Sequence, residues 1–295
     1  MYQLRPDDVE TISPARFGPY WRPKHATEIA EDKDSAKEAE KKWRRKDGIR
    51  VYTDGSDVGG GVGAAAVLYK PGQKRVKTLQ YHLGPSSRHT VYEAEVVALI
   101  LGMELIRQES KVRDVSLAVD NQAAVLSSRA SKSAPGHYLM DKYHQMQARA
   151  VKKHPNMRIT VRWVPGHMGI KGNEEADVRA KEAAKGEMEV CRPIPAILRK
   201  ELPQSISKLH QGRSEELKAE ATARWRNSPQ WARMNEIDPT LPSKRYSVLI
   251  AGLPQRHAAI LFQLRTGHAP LQKLLHKIGK ADTPMCPACH EAPET

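Results

Sequence analysis

The chain is poor in the residues that fill large cores and in those that staple small ones. Of 295 residues only 5% are aromatic, with two Phe, and three are Cys. Three cysteines cannot make a disulfide framework, so a reducing, intracellular setting is expected, nucleus or cytoplasm. No apolar run reaches the ~18 residues that a bilayer-spanning helix needs, and no basic segment followed by an apolar stretch opens the chain. A membrane protein and a secreted one are both excluded on this reading. Hydrophobic residues at 39% allow one substantial core, flanked by segments too polar to pack tightly. Acidic residues are scarce relative to basic ones, 34 against 48, a formal net charge of +14. The excess falls on residues 50–186 and 191–295, while the first 49 are nearly balanced. That is the distribution expected if both folded segments approach a polyanion; the plainer alternative is charge that keeps the protein soluble.

Residues 1–48 read as a linker and charged arm, poorly ordered: Pro-rich to residue 30, then EDKDSAKEAEKKWRRKD (31–47) around a lone Trp43. The pattern changes at residue 49. IRVYTDGS (49–56), stopped by Asp54-Gly55, VGAAAVLYK (62–70) and VKTLQYHLG (76–84) predict three strands in an antiparallel meander. Val91, Ala94, Ala98, Leu101 and Leu105 recur at helical spacing and predict a long amphipathic helix over 90–108. A strand at 115–121, a short helix from Gln122, a helix at 137–153, a strand at 157–164 and a helix at 173–185 complete a mixed α/β unit, residues 49–186. The expected fold is a five-stranded sheet, three strands antiparallel and two added in parallel, with helices on its faces. Residues 187–243 read as linker and helices, and 244–295 as a helical segment ending in a Cys/His cluster.

The chemistry follows from where the carboxylates fall. Asp54 and Asp120 each end an apolar strand, Glu95 lies among apolar neighbours early in the long helix, and Asp177 lies in the last helix of the unit. Each alone has a plain reading: Asp54 a turn residue, Glu95 a helix-surface acid, Asp120 an N-cap, Asp177 a solvated acid. Together, carboxylates converging at the ends of buried strands would repel one another and raise each other's pKa unless a cation met them. Mg²⁺ prefers carboxylate oxygens and works alongside substrate phosphates; two such ions ~4 Å apart can activate water against a phosphodiester. His167, in a Pro-Gly-His-Met-Gly loop, could shuttle protons near neutral pH. His82, His89, His137, His144 and His154 lack such context and read as surface residues.

YTDGS (52–56), YEAEVVAL (92–99), VDNQ (119–122) and WVPGHMGIKGNEEAD (163–177), in this order and on these elements, resemble ribonuclease H type 1 over roughly residues 49–186. The resemblance implies hydrolysis of the RNA strand of an RNA/DNA hybrid, leaving a 5′ phosphate and a 3′ hydroxyl. It implies that Asp54, Glu95, Asp120 and Asp177 hold two Mg²⁺ ions, with Mn²⁺ able to stand in, and that His167 assists water activation or product release. It further implies substrate contacts at Gly55 and Ser56, a DNA-phosphate contact at Thr90, a minor-groove contact at Gln122 and a polar contact at Asn173. Arg162, Lys171 and Arg179 are candidates for backbone phosphates. The sequence departs from cellular enzymes at Val91 and Tyr92, where a pair of Asn residues would help read the hybrid.

TVYEAE, WVPGHMGIKGNEEAD and the tail RHAAILFQLRTGHAPL…CPAC…ET together resemble the C-terminal end of a non-LTR retrotransposon reverse-transcriptase polyprotein. On that resemblance residues 1–48 are a leftover connector and Thr295 a truncation. The alternative to an enzyme is an inactive nucleic-acid-binding remnant of such a polyprotein; integrase-like chemistry on the same sheet is a third option, against which the WVPGH…GNEEAD segment argues. Cys286 and Cys289 have the spacing of half a tetrahedral zinc site, and the second half is not in the sequence. Cys191 stands alone and reads as structural.

Overall fold

The computed structural model describes residues 5–187 and 194–295; Cys191 lies outside the described residues. The chain forms two units, Met1–Gly212 and Arg213–Thr295.

In the first unit the strands are β1 (Ala26–Glu28), β2 (Ile49–Val58), β3 (Gly61–Tyr69), β4 (Lys77–Pro85), β5 (Asp114–Val119) and β6 (Arg158–Trp163). The helices are α1 (Lys33–Arg45), α2 (Val91–Gln108), α3 (Gln122–Ser127), α4 (His137–Lys153) and α5 (Lys171–Lys185). They build one sheet in the order β1-β6-β5-β2-β3-β4. β2, β3 and β4 pair antiparallel; β5 adds to β2, β6 to β5 and β1 to β6, all in parallel. The sheet therefore has six strands where five are expected. The sixth, Ala-Thr-Glu, is too short to show a period of two in the sequence.

β2 does not stop at Asp54-Gly55 but runs on to Val58. Its partner β3 continues the ladder opposite, Asp54 facing Ala65 and Gly55 facing Ala64, so the turn-forming dipeptide is held in a strand. α2 is buried all round, without a break from Glu93 to Ile106, rather than amphipathic. The sheet covers one side and α4 the other, leaving no solvated stripe. The main core lies between them, with Val51, Leu99, Leu117 and Tyr143 among its members.

Residues 5–48 are not a loose arm. Phe17 stacks on Trp21, and both meet the His144 ring edge-on. Arg16 bonds the Asp141 carboxylate and the carbonyl of Ala130. α1 buries Ala36, Glu40 and Trp43. Trp43 donates its indole N–H to Glu28, and Lys46 lies over its ring. Glu40 pairs with Arg162 of β6 and accepts the Tyr52 hydroxyl proton at 2.6 Å. The far flank also docks: Leu198 and Leu202 enter the core, and Glu10 accepts the backbone N–H of Ile206 at 2.8 Å. The histidines correct the sequence reading as well. His82 is exposed, but His89, His137, His144 and His154 are buried.

The second unit takes up the last part of α6 (Ile206–Arg226), then α7 (Trp231–Ile237), α8 (Arg245–Ala251), α9 (Gln255–Thr266) and α10 (Gln272–Lys277). None of these helices buries a residue. Its order comes from local pairs: Trp225 edge-on to Trp231, and Arg265 bridging Asp238 at 2.5 Å while lying over the Tyr246 ring. Among the described residues no helix is long and apolar enough to cross a membrane.

Candidate active site

The parallel register of β2 on β5 ends at Thr53 opposite Val119. Asp54 and Asp120 are the next residues on each strand, side by side at the point where the two chains part. In open α/β sheets this carboxyl end, where the strand order switches, is where ligands bind. β2 continues there as partner of β3 alone, and the chain leaving β5 turns into α3. The N-cap of α3 is Asn121, whose side chain accepts from Ala123 and Ala124 N–H. Asp120 is thus not used as a cap and is left to face the recess.

Glu95 comes from the first turns of α2. That helix can approach because position 55 is Gly: a Cβ there would lie 2.6 Å from the Glu95 nitrogen and 2.8 Å from Ala94. Thr90 and Glu93 close a reciprocal capping box that fixes where α2 begins. Glu93, fully buried, is committed to that cap, so Glu95 is the acid of the pair that reaches the site. Asp177 is carried by α5, which lies backbone-to-backbone on β3 at Gly63; a Cβ there would overlap the Ala184 nitrogen.

The result is a recess of about 180 Å³ lined by Asp54, Glu95, Asp120, His167, Asn173 and Asp177, together with Gly55, Gly166 and Glu174. Carboxylate oxygens of Asp54, Glu95 and Asp120 lie within 4.8 Å of one another. Asp54, Glu95 and Asn173 are buried. Burial, then the charges of Asp120 and Asp177, push the Asp54 carboxyl up to about 8. Burial, then Asp54 and Asp120, hold Glu95 well above the usual carboxylate range. Asp120 is raised chiefly by burial, with Asn173 acting in the opposite sense. Glu95 Oε2 and Asn173 Oδ1 are buried without a hydrogen-bond partner. Asp177 is bound from its own helix, by Lys181 Nζ at 2.8 Å. Oxygen-only donors that repel one another, with an acceptor left over, fit a hard divalent cation.

The remaining expected residues are placed as follows. His167 is exposed at the rim, in a left-handed backbone conformation with φ of 57°. Gly55 lines the recess, and Ser56 is buried two residues beyond Asp54. Gln122 is exposed at the first position of α3. Thr90 gives its hydroxyl proton to Glu93, which leaves none for a phosphate. Arg162 is corrected outright: it is fully buried, bonded to Ser116 and Glu40, and cannot reach a phosphate. Lys171 is exposed, and Arg179 pairs with Glu182 at 3.0 Å. Val91 is exposed, while the Tyr92 ring is pressed against Gly136.

Asn121, Glu174 and Lys181 were not singled out from sequence. Asn121 carries an N-cap signature directly after Asp120, and Lys181 stands one turn beyond Asp177, so both had a local signal. In the second unit Cys286 and Cys289 are both free. The Cys289 thiol is lowered by N–H groups of Glu291 and Ala292 and by Cys286. Among the described residues no third His, Cys, Asp or Glu is grouped with them.

Antiparallel strands continued by parallel ones, helices on both faces and acids at the switch point define an RNase H-like fold. Residues 46–185 match the family model RNase H, and this segment is an RNase H domain. Among solved structures, the segment is similar to the N-terminal RNase H domain of Rv2228c from Mycobacterium tuberculosis, solved as a fusion with maltose-binding protein. Identity is 24% over 46% of this chain and 98% of that one, with a TM-score of 0.37. It is also similar to LC11-RNase H1 in complex with an RNA/DNA hybrid, at 19% identity over 48% and 99%, TM-score 0.37. RNase H1 of the archaeon Halobacterium salinarum gives 22% over 47% and 98%, TM-score 0.32. Among curated proteins nothing matches this chain.

Proposed function

We propose that the domain is an endonuclease that hydrolyses the RNA strand of RNA/DNA hybrids, leaving 5′ phosphates and 3′ hydroxyls. The observation that carries this reading is the convergence of Asp54, Glu95 and Asp120, from three separate elements, to within 4.8 Å. Asp177 and His167 line the same recess. On this reading Asp54, Glu95, Asp120 and Asp177 hold two Mg²⁺ ions. When bound, the ions neutralise the scissile phosphate and the attacking and leaving oxygens.

The chain's own groups supply the rest. Asn121 acts on Glu95, and Asn173 on Asp120, in the sense that favours the charged carboxylate. His167, exposed on its loop, takes or returns a proton at the mouth of the recess. Gln122 meets the hybrid at its minor groove, where the 2′-hydroxyls that separate RNA from DNA are displayed. The origin that best accounts for the tail sequence is a non-LTR retrotransposon polyprotein, the RNase H segment being followed by RHAAILFQLRTGHAPL and the Cys-Pro-Ala-Cys knuckle.

The test is cleavage of a 20-bp hybrid labelled on the RNA strand, in Mg²⁺, by the full chain and by Asp120→Asn. A ladder from the hybrid, absent for duplex DNA and lost in the variant, supports the reading. Unchanged turnover in Asp120→Asn would overturn the site assignment. Hybrid binding without any cleavage would make the chain an inactive nucleic-acid-binding remnant.

A further inference from the structure

A second feature of the first unit lies at the opposite end of α2 from the acids. Glu95 stands near the start of this helix and Arg107 twelve residues on, a separation of about 18 Å at 1.5 Å per residue. Around Arg107 the side of α4 and the segment 194–200 enclose a groove of about 590 Å³. Its rim carries Lys142 and Arg149 from α4, and Arg199 and Lys200 from the far flank, all exposed. The one acid in the lining, Glu104, is occupied by Arg107 at 2.6 Å. Among the described residues none of Lys142, Arg149, Arg199 and Lys200 is ion-paired; Lys142 contacts only the amide of Gln145, and Arg199 a backbone carbonyl.

The four unpaired cations face one concavity whose lining holds a single acid, Glu104, and that acid is already paired with Arg107. Charge kept only for solubility would be spread over the surface and interspersed with acid. Here it converges, over a floor of Met146, Ile194 and Ile197, which pack on the core and so fix the groove's shape. Half of the groove comes from residues 194–200, which lie beyond the matched RNase H segment 46–185. The groove is therefore an addition that this chain's own flank makes to the domain.

We propose that this groove binds the phosphate backbone of nucleic acid, as a second contact for a substrate whose cleaved phosphate sits at the acids. The proposal rests on the hybrid-hydrolase reading for the identity of the polyanion. A backbone with one phosphate every ~3.4 Å per strand places the second contact about five base steps from the first. Hybrids that extend fewer than about five base steps from the cut would occupy the acidic recess alone, and those that extend further would occupy both. The groove makes no base contacts; it adds affinity and salt dependence without sequence preference.

The experiment uses the full chain and Lys142→Gln/Arg149→Gln, with Lys37→Gln/Lys42→Gln on α1 as control. All four side chains are exposed, and circular dichroism and thermal melting check that each protein stays folded. Fluorescence anisotropy measures binding of 8-bp and 24-bp RNA/DNA hybrids in Ca²⁺ from 50 to 200 mM salt, and cleavage of both is followed in Mg²⁺. The groove variant is expected to bind the 24-bp hybrid roughly tenfold more weakly at 50 mM salt, with a slope of log K against log salt shallower by about 1.8. Its loss on the 8-bp hybrid should be clearly smaller, because few registers of that duplex carry it about five base steps from the cut. An unchanged slope on the 24-bp hybrid overturns the proposal. So does an equal loss in the α1 control, because the effect would then be bulk charge. Absence of cleavage in every protein, with the length-dependent binding difference intact, overturns the hydrolase reading and leaves the groove standing.

Discussion

Asp54 is the least comfortable residue of the recess. It is buried, it faces Asp120 and Asp177, and its carboxyl is pushed up to about 8. A folded-state value above that of the unfolded chain means that the folded protein retains a proton the unfolded chain has released. Stability from this group is intact below about pH 4 and is lost as pH rises toward 8. Asp54→Asn removes the repulsion, so with metal chelated its Tm should exceed that of the unaltered chain at pH 8 by roughly 2–4 °C, or about 1 kcal/mol. At pH 5 the gain should shrink, and hybrid cleavage should be lost throughout. Calorimetry in EDTA at the two pH values checks this; a lower Tm for the variant at pH 8 would mean that the carboxylate is structurally satisfied. The four acids were legible as residues because each stands at the end of a strand or in a helix among apolar neighbours. The reason Asp120 is free to act was less legible, since it depends on Asn121 taking the cap.

The elements outside the matched segment hold the domain together through buried polar contacts. Arg162 is fully buried on β6, and its only carboxylate partner among the described residues is Glu40 of α1. Glu40→Ala leaves that guanidinium uncompensated and should cost about 3–5 kcal/mol in urea unfolding. Glu40→Leu/Arg162→Met together should cost much less than either single change, because no charge is then stranded. Equal, additive losses would show that the pair contributes only packing. Neither partner could be read from sequence. α1 alternates charge and reads as solvated, and the arginine sits in a strand whose neighbours made it look like a surface residue. A buried ion pair hides in composition, since both members count as polar.

At the scale of the whole first unit, residues 5–28 are clasped by rings that must stay neutral. His25, His137 and His144 are all lowered, first by burial, His144 to about 3. Arg16 adds to the effect on His137 and His144. Groups depressed in this way contribute stability above their unfolded value of about 6.5 and lose it as pH falls toward 3. Limited proteolysis should therefore release the segment around Phe17 and Trp21 increasingly below pH 6, and His144→Phe should flatten that dependence. A pH-independent cleavage rate would show that the clasp is purely apolar. The succession of strands and helices from β2 to α5 followed from patterning, because alternation and helical spacing each cover a full element there. The flanks did not, because prolines, a three-residue strand and scattered aromatics carry no period. Their order comes from contacts 100 and more residues distant in sequence, such as Arg16 with Asp141.

The three-residue strand β1 does one thing more. By pairing with Thr160, Val161 and Arg162 it closes the outer side of β6 with a strand too short to extend the ladder further. A chain trimmed to the matched boundaries, beginning at residue 46, would present Ile-Thr-Val-Arg-Trp as a bare template of unpaired N–H and C=O groups. Such a fragment should self-associate at micromolar concentration in size-exclusion chromatography under conditions where the full chain does not. The tripeptide Ala26–Glu28 is in that sense a molecular hem: it finishes the fabric of the sheet beyond β6 with three residues instead of a full strand.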